Sequence, residues 1–210
     1  MRTLVIDSAS EACSVALFED DALIAGDFRV LGRGHAEQLV PMIAALPGKG
    51  RAGRIAVALG PGSFTGLRVG IAAARALGLA WRAEVLGYPS LALVAAIARA
   101  QSGAGALAVA MVGGHGEWFV QAFGADGLAA GDLASLTPAA AAAQISEDLV
   151  AGSQAAALVA LRGRGNSLDL LPDARAFSLL SADLLTASVQ PHYGRPPDAR
   201  LPAINPASAP

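Results

Sequence analysis

Residues 60–70 read Gly60-Pro61-Gly62-Ser63-Phe64-Thr65-Gly66-Leu67-Arg68-Val69-Gly70, a glycine-rich turn between two predicted elements. The apolar run 54–59 before it predicts a buried strand, and the alanine-rich stretch after it predicts a helix over residues 67–82. Glycine permits backbone angles and close approaches that other residues do not. Ser63 or Thr65 can cap the helix, and its first N–H groups can accept an anion. Two interpretations stay open, a turn and cap without a ligand or an anion site, and the first is slightly favoured.

Three known glycine motifs do not fit this turn. A Walker loop requires a lysine after its last glycine, and no lysine follows Gly66. A dinucleotide-binding fingerprint has its third glycine where this chain has Thr65. A hydrolase nucleophile elbow needs glycines two residues on either side of Ser63, where this chain has Pro61 and Thr65. P-loop and hydrolase chemistry are therefore excluded, and dinucleotide binding is disfavoured.

The first half of the chain alternates apolar runs with turn signals and helical periods. Its predicted strands are 2–7, 12–18, 22–28, 54–59 and 84–87. A helix is predicted over 36–46 because its apolar residues share one face. These residues are Leu39, Met42, Ile43 and Leu46. A further helix opens at Pro89-Ser90, so the predicted order is β-β-β-α-β-α-β-α.

The second half repeats this order more faintly. Its predicted strands are 107–112, 117–123, 128–133 and 155–161, and its predicted helices begin at Thr137-Pro138 and cover 179–188. A doubled β-β-β-α-β-α plan predicts an α/β protein with the actin-like ATPase (ASKHA, ribonuclease H-like) fold, built from two related lobes of which the second is reduced. We expect the first lobe at 1–100, the second at 101–190, and an extended, partly disordered proline-rich tail at 191–210.

Composition limits the function classes. Hydrophobic residues make up 54% of the chain and charged residues 15%, and the net charge is -2. A protein that holds nucleic acid through its own phosphate contacts is usually distinctly basic, so RNA binding by this chain alone is disfavoured. The single cysteine, Cys13, excludes an internal disulfide and fits a reducing compartment. Since no stretch is typical of a signal peptide or a membrane helix, we expect a cytoplasmic protein.

The helix after the glycine-rich turn carries small residues at every fourth position. They are Gly66, Gly70, Ala74 and Gly78. Such a smooth stripe lets another element pack closely, either within the core or in a helix–helix interface with a partner. Arg68 and Arg75 lie two turns apart on one side of the same helix. The sequence leaves core packing and a partner interface as open alternatives.

Asp7 ends the first predicted strand, where actin-like ATPases place a carboxylate near metal and phosphate. An aspartate in that position is also a common turn former. With the glycine-rich turn it gives a candidate nucleotide or anion set of Asp7, Ser8, Ser10, Gly62, Ser63 and Thr65. The three histidines have no second ligand at metal spacing, and no Ser/His/Asp set has the spacing of a catalytic triad. We therefore expect no metal, no cofactor and no catalytic residue.

Four stretches of the chain form a distinctive combination. They are 4–17, which begins Leu4-Val5-Ile6-Asp7-Ser8-Ala9-Ser10; His35-Ala36-Glu37-Gln38-Leu39-Val40-Pro41-Met42-Ile43; the glycine-rich 60–70; and Pro191-His192-Tyr193-Gly194-Arg195. On these residues the chain resembles the bacterial TsaB (YeaZ) family. The resemblance covers roughly residues 1–125 and is strongest at 60–70, a signature that the catalytic relative TsaD shares.

The resemblance implies an ASKHA fold and a non-catalytic role in adding the threonylcarbamoyl group to a tRNA adenosine. It also implies that the chain pairs with the catalytic subunit TsaD through first-lobe helices, that TsaE joins them, and that tRNA is met only through the complex. Mapped here, the interface residues are Leu39, Met42, Ile43, Gly66, Arg68, Gly70, Ala74, Arg75 and Gly78. Because small apolar helix faces often pair with themselves, a homodimer is expected when the chain is alone.

One turn departs from the family pattern. The family often has Asp-Ala-Arg-x-Gly-Glu where this chain has Val112-Gly113-Gly114-His115-Gly116-Glu117, which lacks the acid and the arginine.

An enzyme is the alternative: a stand-alone actin-like ATPase or small-molecule kinase. It rests on Asp7, the glycine-rich turn and fold analogy, and it needs a second carboxylate or metal-positioning set that the second half does not offer. A peptidase M22-like description has also been attached to the family, and these residues give no reason to expect a peptidase.

Overall fold

The computed structural model describes residues 1–194, so residues 195–210 of the predicted proline-rich tail lie outside the described part. The first of its two sheets has the spatial order β3-β2-β1-β4-β5. Its strands are β1 (Arg2–Asp7), β2 (Ala12–Glu19), β3 (Ala22–Val30), β4 (Arg54–Ala58) and β5 (Glu84–Tyr88). β1, β2 and β3 pair antiparallel, whereas β4 and β5 run parallel to β1. The central β1 is buried over residues 3–7, as expected for a continuous apolar run covered on both faces.

Three helices cover the faces of the first sheet. α1 (His35–Ala45) and α2 (Phe64–Trp81) pack on one face, in a core with the strand residues Leu4, Ile6 and Val57. α3 (Ser90–Ser102) packs on the other face and also forms a core with the second sheet. α3 is therefore shared between the two sheets and holds them together.

The second sheet repeats the topology of the first. Its order is β10-β9-β6-β7-β8. If the strands of each sheet are numbered from one to five along the chain, the first sheet has the order 3-2-1-4-5 and the second has the order 5-4-1-2-3, which is the same order taken from the opposite edge. Its strands are β6 (Leu107–Gly114), β7 (Glu117–Phe123), β8 (Ala134–Leu136), β9 (Leu149–Ala151) and β10 (Asn166–Leu168). Its helices are α4 (Pro138–Gln144) and α5 (Ala155–Arg162). The predicted α/β, actin-like fold with a reduced second lobe is confirmed.

Several second-half predictions are wrong in detail. Residues 155–161 form helix α5 and not a strand, because their buried positions, Ala155 and Leu158, are three residues apart. The strand predicted at 128–133 lies instead at β8, and β9 and β10 were not predicted. The helix predicted over 179–188 does not form: a 3-10 helix, Ala174–Leu179, ends where it was predicted to begin, and only the 3-10 turn Ala182–Leu184 lies within it. A three-residue strand gives too few positions to show a period of two.

The segment that follows β10 returns to the first sheet. Ala174 is fully buried there, and its N–H donates to Ser14 Oγ at 2.9 Å. Thr186 then pairs with Gly87 of β5 through two backbone hydrogen bonds of 2.8 and 3.0 Å.

The domain boundaries predicted at residues 100 and 190 stay predictions. In the described part of the chain, every helix is too short or too polar to span a membrane.

Candidate functional site

The glycine-rich turn joins β4 to α2 and is fixed by a serine cap. Ser63 precedes the first residue of α2, and its Oγ accepts a hydrogen bond from the Gly66 N–H at 3.2 Å. The Ser63 N–H itself donates to the carbonyl oxygen of Ala9 at 2.7 Å. Of the two predicted caps, Ser63 is confirmed, and Thr65 is an exposed residue of the first helical turn.

Two glycines of the turn are required by the backbone that crosses them. A Cβ at residue 62 would lie 1.9 Å from the carbonyl oxygen of Ala9, and one at residue 66 would lie 2.0 Å from that of Ser8. Ser8 Oγ also donates to the Gly66 carbonyl at 2.9 Å. The loop between β1 and β2 therefore rests directly on the start of α2, and only glycine permits this approach.

Asp7 lies beneath that loop and away from solvent. Its side chain is 1% exposed and accepts hydrogen bonds from the Ala9 N–H at 3.0 Å and the Tyr88 hydroxyl at 3.1 Å. Burial outweighs these two bonds and raises the pKa of Asp7 to about 7. The pKa of Tyr88 is also raised, first by burial and then by the neighbouring carboxylate. Asp7 is thus enclosed by its own lobe.

A cleft of about 980 Å³ lies between the two lobes. From the first lobe it is lined by the β1–β2 loop and the glycine-rich turn, and from the second by the β6–β7 hairpin. Ser10, Gly62 and Ser63 of the predicted anion set line this cleft, whereas Asp7, Ser8 and Thr65 do not. The structure therefore brings together half of the predicted set. The turn at residues 112–117, whose sequence differs from the family pattern, forms part of the opposite wall. Its lining residues are Val112, Gly113, Gly114 and His115.

The small-residue stripe of α2 faces the first sheet. Gly66, Gly70, Ala74 and Gly78 are all buried. A Cβ at residue 70 would lie 2.4 Å from Ser8 Oγ, and one at residue 78 would lie 2.4 Å from Val85 Cγ2. This corrects the assignment of the stripe to a partner interface, because its glycines accommodate strands of their own lobe. Three α1 residues assigned to the interface, Leu39, Met42 and Ile43, are likewise buried in the core.

Arg68 and Arg75 are exposed, as an interface requires, but both hold the C-terminal segment. Arg75 Nη2 donates to the Val189 carbonyl, and Arg68 Nε donates to the Tyr193 hydroxyl at 3.1 Å. Arg68 also lies over the Phe64 ring, with 3.6 Å between its Cζ and the ring centroid. The segment that ends at Tyr193 is thereby bound along α2.

Sequence reasoning missed the aromatic pair at the mouth of the cleft. The Phe64 and Tyr193 rings lie 4.8 Å apart between centroids, and both residues line the cleft. The available signal was an aromatic residue at the first position of α2, next to a polar cap. Its partner lies more than 120 residues away, and no local pattern connects the two.

The outward surface of α1 and α2 carries apolar side chains of its own. Leu79 is 85% exposed and Val40 is 59% exposed. Ala72 and Ala76 are exposed on the same helix as Leu79. We call Val40, Ala72, Ala76 and Leu79 the α1–α2 face.

Among residues 1–194, no group of three or more His, Cys, Asp or Glu side chains is placed to hold a metal ion.

Comparisons with known proteins agree with this architecture. The family model for TsaD, tRNA N6-adenosine threonylcarbamoyltransferase, matches residues 29–127. YeaZ from Pseudomonas aeruginosa superposes with a TM-score of 0.73 at 25% identity, over 91% of this chain and 99% of that one. The TsaB protein of Escherichia coli K12 is 38% identical over 109 residues, which are 50% of this chain.

The chain is similar to the TsaB (YeaZ) family. TsaB from Bacillus subtilis 168 is also similar, at 31% identity over 90 residues and 40% of this chain. The chain spans about half or less of the curated TsaB relatives it matches, 47% of the E. coli protein and 38% of the B. subtilis protein. The ethanolamine utilization protein EutJ from Carboxydothermus hydrogenoformans shares the fold alone, with a TM-score of 0.51 at 10% identity, over 86% of this chain and 90% of that one.

Proposed function

We propose that this chain is an accessory subunit of the complex that makes threonylcarbamoyladenosine in tRNA. In this role it binds and supports the catalytic subunit TsaD together with TsaE, in the cytoplasm. The TsaB relatives of E. coli and B. subtilis carry the name of tRNA threonylcarbamoyladenosine biosynthesis proteins, which supports the proposal. The net charge of -2 supports a contact with tRNA that is made through the complex.

The enclosure of Asp7 is the observation that carries the non-catalytic part of this proposal. A carboxylate that positions a metal and a nucleotide phosphate must face the cleft in which they bind. Asp7 is instead 1% exposed and bonded to Tyr88 and to the Ala9 N–H, behind the β1–β2 loop. With its pKa raised to about 7, the buried group is also a weak source of negative charge at neutral pH.

The α1–α2 face supports the partner-binding part of the proposal. Leu79 presents 85% of its surface to solvent, and exposed alanines beside it keep the helix surface smooth. Burying a leucine in an interface contributes about 2 kcal/mol, so a partner helix that covers Leu79 gains affinity at this point. The same face suits a homodimer of the chain when TsaD is absent.

A reconstituted reaction tests this function. The purified chain, TsaD and TsaE from the same organism, and the threonylcarbamoyl donor are incubated with tRNA, and modified adenosine is measured by mass spectrometry. We expect product only when both TsaD and this chain are present, and equal product from Asp7→Asn. Product formed by TsaD and TsaE without the chain contradicts the accessory role.

The alternative is a stand-alone actin-like ATPase or small-molecule kinase. It is favoured by the cleft itself, where Ser10, Gly62 and Ser63 meet between two lobes of an actin-like fold. A phosphate-release assay on the chain alone distinguishes the two functions. ATP hydrolysis that is abolished by Asp7→Asn would establish the enzyme, and the accessory role requires that the rate stay at background.

A further inference from the structure

The walls of the interlobe cleft are mainly apolar. Phe64 and Val112, which are 51% and 48% exposed, line it together with the less exposed Met111. Leu91, Val94 and Phe119 lie behind them and are almost fully buried. The cleft volume of about 980 Å³ is at the upper end of the range that holds small ligands. An apolar cavity of this size favours a ligand with a substantial apolar body.

The mouth of the same cleft carries one guanidinium. Arg68 lies over the Phe64 ring, with its Cζ 3.6 Å from that centroid, and the Tyr193 ring lies to one side, with its centroid 5.7 Å from the same Cζ. Within residues 1–194, no carboxylate forms an ion pair with it. The other ionisable residues facing the cleft, apart from Tyr193, are Glu11 and His115. The preordered cation therefore offers an anionic group a charge-assisted hydrogen bond next to apolar walls.

We propose that the cleft binds a small amphipathic carboxylate, with its apolar body against Phe64, Met111 and Val112 and its carboxylate at Arg68. A nucleoside triphosphate fits this arrangement less well. Its phosphates require several cations or a metal, and Arg68 is the only lysine or arginine among the described residues that line the cleft. This binding site is independent of the proposed partner interface on the outside of α1 and α2.

Methionine methyl groups provide a local reporter of binding. The chain has three methionines, of which Met111 lines the cleft, Met42 is buried in the first-lobe core, and Met1 is exposed. Octanoate is titrated into full-length protein labelled at the methionine methyl carbons, with ¹H–¹³C correlation spectra recorded at each step. We expect a saturable shift of the Met111 resonance while the Met42 resonance stays in place. Decanoate is expected to bind about tenfold tighter, because it buries two more methylenes.

Matched head groups and matched arginines test the role of the charge. Octanol and octylamine carry the same chain as octanoate, and both are expected to bind at least about tenfold more weakly. Arg68→Gln is expected to weaken octanoate binding by a similar factor and Arg68→Lys to restore part of it. Arg51→Gln, which changes an exposed arginine outside the cleft lining, is expected to bind octanoate like the unaltered chain.

Three results would overturn the proposal. The first is the lack of a saturable Met111 shift at millimolar octanoate. The second is equal binding of octanoate and octanol, which would make the cleft an apolar crevice without a charge-recognising site. The third is ATP that displaces octanoate and binds more tightly, which would make the cleft a nucleotide site. Circular dichroism of each variant confirms that it is folded before it is titrated.

Discussion

Gly66→Ala probes the contact that makes the β4–α2 turn glycine-rich. A Cβ at residue 66 would lie 2.0 Å from the carbonyl oxygen of Ser8, which is a backbone atom. The loop that carries this carbonyl is itself fixed, because the Ala9 N–H donates to Asp7 and the Ala9 carbonyl accepts from Ser63. The added methyl group therefore displaces either the loop or the first turn of α2.

The size of the effect follows from two opposing contributions. Forcing an extra carbon into a packed contact costs about 3 kcal/mol. Replacing a helical glycine by alanine returns about 1 kcal/mol, because alanine has the better helix propensity. The free energy of unfolding should fall by about 2 kcal/mol, which lowers the Tm of a domain of this size by roughly 4 to 8 °C.

Thermal unfolding followed by circular dichroism measures this loss. Gly131→Ala is the matched control, because a Cβ at residue 131 has nothing within 4 Å and its backbone is not left-handed. We expect Gly131→Ala to melt with the unaltered chain and Gly66→Ala to melt clearly below both. If the two variants melt at the same temperature, the contact between the β1–β2 loop and α2 does not require glycine and the reasoning is wrong.

Two further predictions concern the same part of the first lobe. Asp7→Asn should raise the free energy of unfolding at pH 8 by about 2 kcal/mol, because burial raises the pKa of Asp7 to about 7 and the charged carboxylate destabilises the fold. The folded chain binds this proton more tightly than the unfolded chain, so the stability contributed by Asp7 falls as the pH rises from about 4 to 7. The increase in the free energy of unfolding that Asp7→Asn gives should therefore be smaller at pH 5 than at pH 8. Urea titrations at both pH values measure it, and an equal gain at both contradicts the assignment. Gly70→Glu should abolish folding and not only partner binding, because residue 70 is buried with Ser8 Oγ 2.4 Å from its would-be Cβ. A native circular dichroism spectrum and an unchanged Tm for Gly70→Glu would place the stripe on the surface.

The first lobe was largely predictable because its strands are long enough to carry a pattern. The runs that became β1, β2 and β4 are mainly apolar and flanked by turn residues, and their lengths of five to eight residues are typical of buried strands. In the second lobe, β8, β9 and β10 have three residues each, too few for a period to appear. Alanine adds to the difficulty, because it shows little preference between exposed and buried positions in α5.

The site was predictable only where its residues are close in sequence. Periodicity identified Gly66, Gly70 and Gly78 as one helix face, but spacing does not say whether that face meets a sheet or a partner. The packing of α2 on β5 decides this question, and it depends on tertiary structure. The cleft likewise joins Phe64 to Phe119 and Tyr193, which no local pattern relates.

Association with TsaD is the most direct test of the proposed accessory role. The chain and the same organism's TsaD are mixed and examined by size-exclusion chromatography with light scattering, using Leu79→Glu and the control Leu161→Glu. Leu161 is 57% exposed on α5 in the second lobe, so both variants place a charge on an exposed helix position. We predict a stable heterodimer for the unaltered chain and for Leu161→Glu, and at least about tenfold weaker association for Leu79→Glu. No heterodimer with the unaltered chain, even with TsaE and ATP present, would contradict the accessory role, and equal binding by both variants would move the interface away from the α1–α2 face.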